Sequence, residues 1–191
     1  MEHKAEAEKA VFALLTKKRM TLAAAESCTG GLVAERMTDL PGASKVFMGG
    51  VVSYTNQVKE KVLGVPCALL EEFGAVSEPV ARAMAEGVRE LTGADIGVSV
   101  TGVAGPATDE RANPVGTVYI ALAAKDGTVC RLCRFGEQSR GRIRALAADG
   151  AFDMVRQYLE GRYRAARRRH KSAPEKGSAP VGLGRKTSLT Y

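Results

Sequence analysis

The segment from residue 25 to residue 31, AESCTGG, contains residue types that suit nucleophilic catalysis. The apolar stretch Met20–Ala25 predicts a buried strand, and Leu32–Met37 predicts an amphipathic helix. A serine at a sharp strand-to-helix turn exposes its hydroxyl beside backbone N–H groups, which is the arrangement of a serine nucleophile with an oxyanion or anion site. Ser27 is therefore a candidate nucleophile. The alternative is that Ser27 or Thr29 only caps the helix.

Two further polar segments follow predicted strands. Ser53–Lys59 follows the second strand, and the glycine-rich segment Thr101–Pro106 follows a later one. Ligands of open α/β sheets bind outside the carboxyl ends of the strands. Three polar loops at three strand ends therefore predict one binding cleft, and the turn at Ser27 belongs to it.

Helices and strands alternate along the part of the chain that must position these loops. The pattern predicts helices at residues 4–18, 32–37, 56–63, 67–73, 78–91 and 140–159, and strands at 20–25, 46–55, 95–100, 116–124 and 128–135. The last two strands read as a hairpin joined by residues 125–127, so at least one strand opposes its neighbours. This order predicts an α/β fold with a mixed sheet and helices on both faces.

The four cysteines do not form a metal-binding pattern. Cys130 and Cys133 are spaced as C-x-x-C, but they fall on a predicted strand, where residues three apart point to opposite faces. Zinc requires converging ligands, so we expect no metal site. Four free thiols and the lack of a secretory apolar region predict a cytoplasmic protein, and no apolar run reaches the 18 residues typical of a membrane span.

The net charge of +7 comes from the end of the chain. Residues 162–191 hold nine Lys or Arg and one Glu, so the preceding 161 residues carry a net charge of −1. The same segment is rich in Pro, Gly and Ser, a composition typical of disorder. The predicted organisation is a domain at 1–161 followed by a basic, disordered tail at 162–191.

Five segments occur in an order that resembles the CinA C-terminal domain family. They are AESCTGG, SYTNQVKEKVLGV, GAVSEPVA, SVTGVAGP and PVGTVY, and the similarity covers about residues 8–160. The characterised activity of this family is nicotinamide-nucleotide amidase, and its fold is a three-layer α/β/α sandwich with a mixed, mostly parallel sheet. The resemblance implies this fold, a nucleotide substrate and no cofactor. Two-domain members carry an additional N-terminal domain, and the activity of that domain does not belong to the five matching segments.

The resemblance also assigns roles to positions of this sequence. Ser27 matches the nucleophile, Lys59 the catalytic lysine and Tyr54 the tyrosine of the catalytic site. The implied substrate-binding positions are Ser44, Asn56, Thr101, Gly102 and Arg140. Independently of the resemblance, the backbone N–H groups of Thr29, Gly30 and Gly31 lie at a predicted helix N-terminus and suit an oxyanion or a phosphate. The family's Gly-Asp-Arg stands here as GEQSR at residues 136–140, so Arg142 is the alternative to Arg140.

The residue types agree with amide hydrolysis, which needs an activated nucleophile, an oxyanion site and a proton for the leaving ammonia. The only histidines, His3 and His170, lie near the ends of the chain, so a Ser-His-Asp triad is excluded from its body. A partly desolvated Lys59 has a lowered pKa and serves as a neutral base, with Tyr54 to relay or orient its proton. Arg140 suits a 5′-phosphate.

A non-catalytic function is the alternative. Taken singly, Lys59 and its neighbour Lys61 read as solvated lysines, and Tyr54 reads as a residue at the end of a strand. The chain would then be a nucleotide-binding or interaction module, whose basic tail contacts nucleic acid or an acidic partner. The expected partners are otherwise the nucleotide substrate and, by analogy with the family, a second copy in a homodimer.

Overall fold

The computed structural model of the chain describes residues 6–162. Its elements in chain order are α1 (Glu6–Lys18), β1 (Leu22–Glu26), α2 (Leu32–Thr38), a short 3-10 turn (Ala43–Lys45), β2 (Phe47–Val52), α3 (Asn56–Leu63), α4 (Cys67–Phe73), α5 (Glu78–Thr92), β3 (Ile96–Gly102), β4 (Thr117–Ala124), β5 (Gly127–Arg134) and α6 (Arg140–Leu159). The predicted boundary between domain and tail stays a prediction, because residues 163–191 lie outside the described part.

The five strands form one sheet in the order β2-β1-β3-β4-β5. β1 pairs in parallel with both β2 and β3, whereas β4 runs antiparallel to β3 and to β5. β5 is antiparallel to β4, which is itself antiparallel to β3, so β5 points in the same direction as β3. Four of the five strands therefore point the same way. The predicted mixed sheet, parallel in most of its strand directions, is confirmed.

Helices cover both faces of the sheet and complete a three-layer α/β/α sandwich. Leu22 and Ala24 of β1 pack in a core with α1, α2 and α6, while Ala23 and Ala25 pack in a second core with α3, α4 and α5. All five residues of β1 are buried, because both faces of this central strand are covered. The carboxyl end of β1 is thereby held rigidly between two layers.

Several boundaries differ from the prediction by one to three residues, and three of these differences have a visible cause. β2 ends at Val52 instead of Thr55, because the Thr55 hydroxyl accepts the Val58 N–H and caps α3. β3 extends to Gly102, since its last residues continue the antiparallel pairing with β4. The hairpin loop has two residues rather than three, because Gly127 already pairs with Ala124.

Cys130 and Cys133 lie on opposite faces of β5, as predicted. Cys130 packs against the small alanine cluster that contains Ala81, and Cys133 packs against the largest core. All four cysteines are free thiols. Within the described residues, none of the helices combines the length and the apolar character that crossing a bilayer requires.

Candidate active site

The ends of β1, β2 and β3 meet at one edge of the sheet and bring the Ser27 turn between the two other loops. The Ser27 N–H donates to the carbonyl of Val100 in β3 at 2.9 Å. On the other side, the Ser53 N–H donates to the carbonyl of Glu26 at 2.8 Å. These two bonds fix the position of Ser27 relative to both neighbouring strands.

Lys59 reaches Ser27 from the first half of α3. Its side chain is only 1% exposed, although lysines are rarely buried in folded proteins. The Nζ atom lies 3.1 Å from Ser27 Oγ and donates to the Ser53 carbonyl at 2.6 Å. The fold therefore brings together a hydroxyl and an amine that are 32 residues apart in sequence.

Burial changes the protonation of this lysine. Desolvation lowers the pKa of Lys59 from 10.5 to about 8, because the ammonium form loses its hydration inside the protein. No carboxylate within residues 6–162 forms an ion pair with Lys59 to restore the pKa. A substantial fraction of neutral amine is thus present in mildly alkaline solution, next to a serine hydroxyl.

The neighbouring thiol is not a competing nucleophile. Cys28 is buried in the largest core, and burial raises the pKa of its thiol from 9.0 to about 12. The thiolate is the reactive form of cysteine, and it is almost absent at such a pKa. The chemistry of this turn therefore rests on the hydroxyl of Ser27.

Glu26 performs the capping role that the sequence analysis left to Ser27 or Thr29. Its buried carboxylate accepts the N–H groups of Gly31 and Val33 on Oε2 and that of Ala34 on Oε1, at 2.8 to 3.1 Å. A carboxylate is favourable at this place, because a helix N-terminus carries unpaired donors and a partial positive charge. The role of Glu26 was missed because it precedes the helix by six positions, outside the usual capping window.

This cap changes which backbone donors remain beside Ser27. The Gly31 N–H is taken by Glu26, and the Gly30 N–H donates to the Ser27 carbonyl at 3.0 Å. The Thr29 hydroxyl is fully buried and has no hydrogen-bond partner in the part of the chain that the structure describes, so this side chain is not accessible to a substrate. Within residues 6–162, the N–H groups of Cys28 and Thr29 donate to no other residue's oxygen.

Arg140 and Tyr54 form a pair at the mouth of the site. Arg140 opens α6, and its guanidinium donates to the Tyr54 hydroxyl at 2.7 Å and to the Gly105 carbonyl at 2.8 Å. The Tyr54 hydroxyl has no hydrogen bond to Ser27 or Lys59 in the described structure, so the expected proton relay is not formed. Arg142 is exposed, and within residues 6–162 its guanidinium forms no hydrogen bond with Tyr54 or Gly105, so the structure favours Arg140 of the two arginines.

A second arginine at the site was missed by the sequence analysis. Arg144 donates from Nε and Nη2 to the Thr29 carbonyl, at 3.2 and 2.7 Å. It follows Arg140 by four residues, the spacing that places two side chains on one face of a helix. This i, i+4 spacing was the signal that the sequence offered for Arg144. The hydrogen bonds of Arg144 connect α6 to the turn that carries Ser27.

The remaining predicted positions have mixed outcomes. Asn56 is exposed at the start of α3, close in sequence to Tyr54, and it lines a cavity of about 700 Å³ with that residue. The Thr101 hydroxyl is buried and donates to the Ala75 carbonyl at 2.8 Å, so it is occupied within the fold. A Cβ on Gly102 would lie 2.7 Å from the Thr117 carbonyl oxygen, so close strand packing explains this glycine.

Ser44 lies away from the site in this chain, which corrects its expected place near the substrate. It belongs to the 3-10 turn before β2, and the first residue of β2 pairs with Leu22 at the start of β1. Because β1 and β2 are parallel, Ser44 sits at the amino edge of the sheet, whereas Ser27 sits at the carboxyl edge.

The comparison with protein families identifies this architecture. Residues 4–159 match the family model described as the CinA C-terminal domain. The chain belongs to the CinA family. The resemblance inferred from five sequence segments is thereby confirmed.

Curated relatives carry the same family description over most of this chain. A putative competence-damage inducible protein of Caldanaerobacter subterraneus subsp. tengcongensis is 52% identical over 158 residues, which cover 82% of this chain and 38% of the relative. A CinA-like protein of Syntrophus aciditrophicus is 49% identical over 152 residues, covering 80% and 36%. The chain thus spans little more than a third of the length of these relatives.

Solved structures of CinA proteins superpose on this chain over nearly their whole length. The competence/damage inducible protein CihA of Agrobacterium tumefaciens has a TM-score of 0.79 and 35% identity, covering 84% of this chain and 97% of its own. A CinA superfamily protein of Klebsiella pneumoniae has a TM-score of 0.80 and 30% identity, covering 83% and 98%.

Proposed function

We propose that this CinA-family chain is an amidohydrolase that converts nicotinamide mononucleotide and water into nicotinate mononucleotide and ammonia. The observation that carries the proposal is the buried Lys59 amine, 3.1 Å from Ser27 Oγ. Burial lowers the pKa of this amine to about 8, so a fraction of it is neutral near pH 7 and can accept a proton, as a general base must. The choice of nucleotide rests on the family resemblance.

The geometry supports a covalent mechanism. Neutral Lys59 takes the Ser27 hydroxyl proton while Oγ bonds to the carboxamide carbon, which forms a tetrahedral oxyanion. The C–N bond then breaks, and the Lys59 ammonium returns the proton to the leaving amide nitrogen, which departs as ammonia. Water attacks the resulting ester with Lys59 again as base, the carboxylate product leaves, and Ser27 regains its proton. The Ser53 carbonyl holds the amine in place throughout.

The oxyanion that forms during the reaction and the phosphate of the substrate both need hydrogen-bond donors. The N–H groups of Cys28 and Thr29 are the candidates for the oxyanion, because the other donors of the turn are occupied. The substrate phosphate is assigned to Arg140, whose guanidinium is exposed at the mouth of the site. The N-terminus of α2 is a weaker phosphate site, since the Glu26 carboxylate already occupies it.

The proposal is tested by ammonia release from nicotinamide mononucleotide, with trapping of the acyl-enzyme. We expect kcat/KM to rise with pH through about 8, because the base must be neutral in the free enzyme. Rapid acid quenching followed by peptide mass spectrometry should locate the nicotinate nucleotide acyl group on Ser27. Ammonia release without any acylated peptide, or acylation of Cys28 instead, would contradict the mechanism.

Replacing Arg140 by alanine tests the phosphate assignment. We expect KM for the nucleotide to rise about 10- to 100-fold with little change in kcat, since a charge-assisted contact to a remote group is lost. Steady-state ammonia release measures both constants. Arg142→Ala is the matched control, because it removes the same charge two positions away and should leave KM unchanged. Equal effects of the two substitutions would exclude a specific contact with Arg140.

A further inference from the structure

A groove lies along α5, on the face of the sheet that also carries α3 and α4. It encloses about 630 Å³, and its apolar walls come from Leu63, Pro66, Leu69, Pro79 and Ala83. Its rim carries Glu78, Glu86 and Glu90, with Arg82 as the one basic residue. We call this feature the acidic groove. It plays no part in the mechanism proposed above.

The negative charge of the acidic groove is only partly compensated. Arg82 pairs with Glu78 at 2.8 Å. Glu86 accepts a hydrogen bond from the Thr128 hydroxyl but has no ion pair within residues 6–162. Glu90 is exposed and has neither an ion pair nor a side-chain hydrogen bond in the same range. Two carboxylates beside an apolar floor are therefore available to a basic, partly apolar ligand.

Two surface depressions, lined by residues that are neighbours in sequence, lie between the groove and the last described residues. Gly161 and Asp126 line a depression of about 440 Å³. Ala124, two residues before Asp126, lines the next depression of about 380 Å³ together with Glu86 and Glu90. Basic residues also line the two depressions, namely Lys18 and Lys125 in the first and Arg89 in the second, so the excess of negative charge is found at the groove and not along the path. Those two glutamates also form the rim of the acidic groove. The described part of the chain ends at Arg162, directly after Gly161, and therefore next to the first depression.

The sequence that follows has the matching composition. Residues 163–171, YRAARRRHK, contain five Lys or Arg, no acidic residue, and the apolar side chains of Tyr163, Ala165 and Ala166. Nine extended residues span about 30 Å, roughly the size of a small domain, so the segment can reach across this face. Long basic side chains also cover apolar surface with their methylene stems while their charges meet a rim.

We propose that residues 163–171 of the same chain dock in the acidic groove, with their basic side chains against Glu86 and Glu90. The segment thereby covers the apolar floor formed by the end of α3, the start of α4 and α5. Charge complementarity and direct continuity with α6 favour this occupant over a second protein. The docked segment would also be less available to nucleic acid.

Limited trypsin digestion of the full chain tests this proposal, because trypsin cleaves after the basic residues of the segment. At low salt we expect cleavage after Arg164 and Arg167 to be about tenfold slower in the parent than in a Glu86→Gln/Glu90→Gln variant, since a few exposed ion pairs are lost. High salt should remove the difference, because exposed charges are screened. Peptide mass spectrometry gives the rate at each bond.

A matched control removes two carboxylates elsewhere. Glu35→Gln/Glu137→Gln changes two exposed residues outside the groove and should leave the cleavage rates at the parent values. Thermal melting verifies that all variants are folded. Combining Glu86→Lys/Glu90→Lys with Arg167→Glu/Arg168→Glu should restore slow cleavage after Arg164, because the ion pairs are re-formed with reversed sign.

Three results would overturn the proposal. Equal cleavage of the parent and the Glu86→Gln/Glu90→Gln variant at low salt would show that the segment does not occupy the groove. Equal acceleration by the Glu35→Gln/Glu137→Gln control would show a general charge effect. Protection that grows with protein concentration would place the segment in the groove of a second copy rather than in its own.

Discussion

Replacing Lys59 by methionine should lower kcat for ammonia release about 1000-fold and make the folded protein more stable at pH 7. The rate falls because Ser27 loses the one base that lies within hydrogen-bond distance of its hydroxyl among residues 6–162. Stability rises because the protein no longer buries an ammonium group. A lysine pKa lowered from 10.5 to about 8 corresponds to a cost of roughly 3–4 kcal/mol in the protonated form.

The sign of the pH dependence follows from linkage. Below pH 8 the lysine is protonated in both the folded and unfolded states, and the folded state bears the desolvation cost. Between about pH 8 and 10.5 the folded state has lost the proton that the unfolded state still binds, so the free energy of unfolding rises with pH. The Lys59→Met variant should lack this rise. Urea denaturation at several pH values measures it.

Two controls separate catalysis from stability. Ser27→Ala should also abolish ammonia release, but it keeps the buried lysine and should gain none of the stability. Lys61→Met changes an exposed lysine two residues further along α3 and should alter neither the rate nor the free energy of unfolding beyond about 0.5 kcal/mol. A Lys59→Met variant that kept the parental rate would remove the base from the mechanism.

Replacing Glu26 by glutamine should lower the free energy of unfolding by about 2–4 kcal/mol. The carboxylate accepts three backbone N–H groups, and an amide would turn its own N–H₂ towards one of these donors. The lost charge also no longer offsets the positive end of α2. Urea denaturation at pH 7 measures the change.

The Glu26→Gln substitution should also lower kcat for ammonia release. Glu26 directly precedes Ser27, so a small shift of the turn misplaces the nucleophile relative to Lys59, and misplacement of about 1 Å costs on the order of 100-fold. Glu35→Gln is the matched control on the exposed side of α2 and should leave stability and kcat unchanged. A Glu26→Gln variant with parental stability would show that the cap is dispensable.

Local sequence signals were sufficient for most of the regular elements. The predicted ranges of α3, α4 and α6 coincide with the observed ones, because their ends carry strong local stop and start signals such as Gly64 and Gly74. β2 was predicted too long because Thr55, a good strand residue, is used as a helix cap. The hydrophobic pattern cannot show whether Thr55 continues the strand or caps the helix, because the cap is formed by the Thr55 hydroxyl and not by apolar side chains.

The candidate site was only partly accessible from the sequence. Convergence of the loops at Ser27, Ser53 and Thr101 followed from the strand order, but the contact between Ser27 and Lys59 came from the family resemblance. Burial of Lys59 is a property of the packed protein and leaves no local signal. The roles of Glu26 and Arg144 likewise depend on how α2 and α6 approach the turn.

The position of Lys59 makes catalysis sensitive to the edge of the sheet. Its amine bridges the end of β1, through Ser27, and the end of β2, through Ser53. β2 is an edge strand that holds Gly49 and Gly50 and has an irregular register at the start of its pairing with β1. Edge elements open locally at lower free energy than the core. The proposed enzyme would therefore lose its base by a sub-global fluctuation of one strand, while most of the fold stays intact.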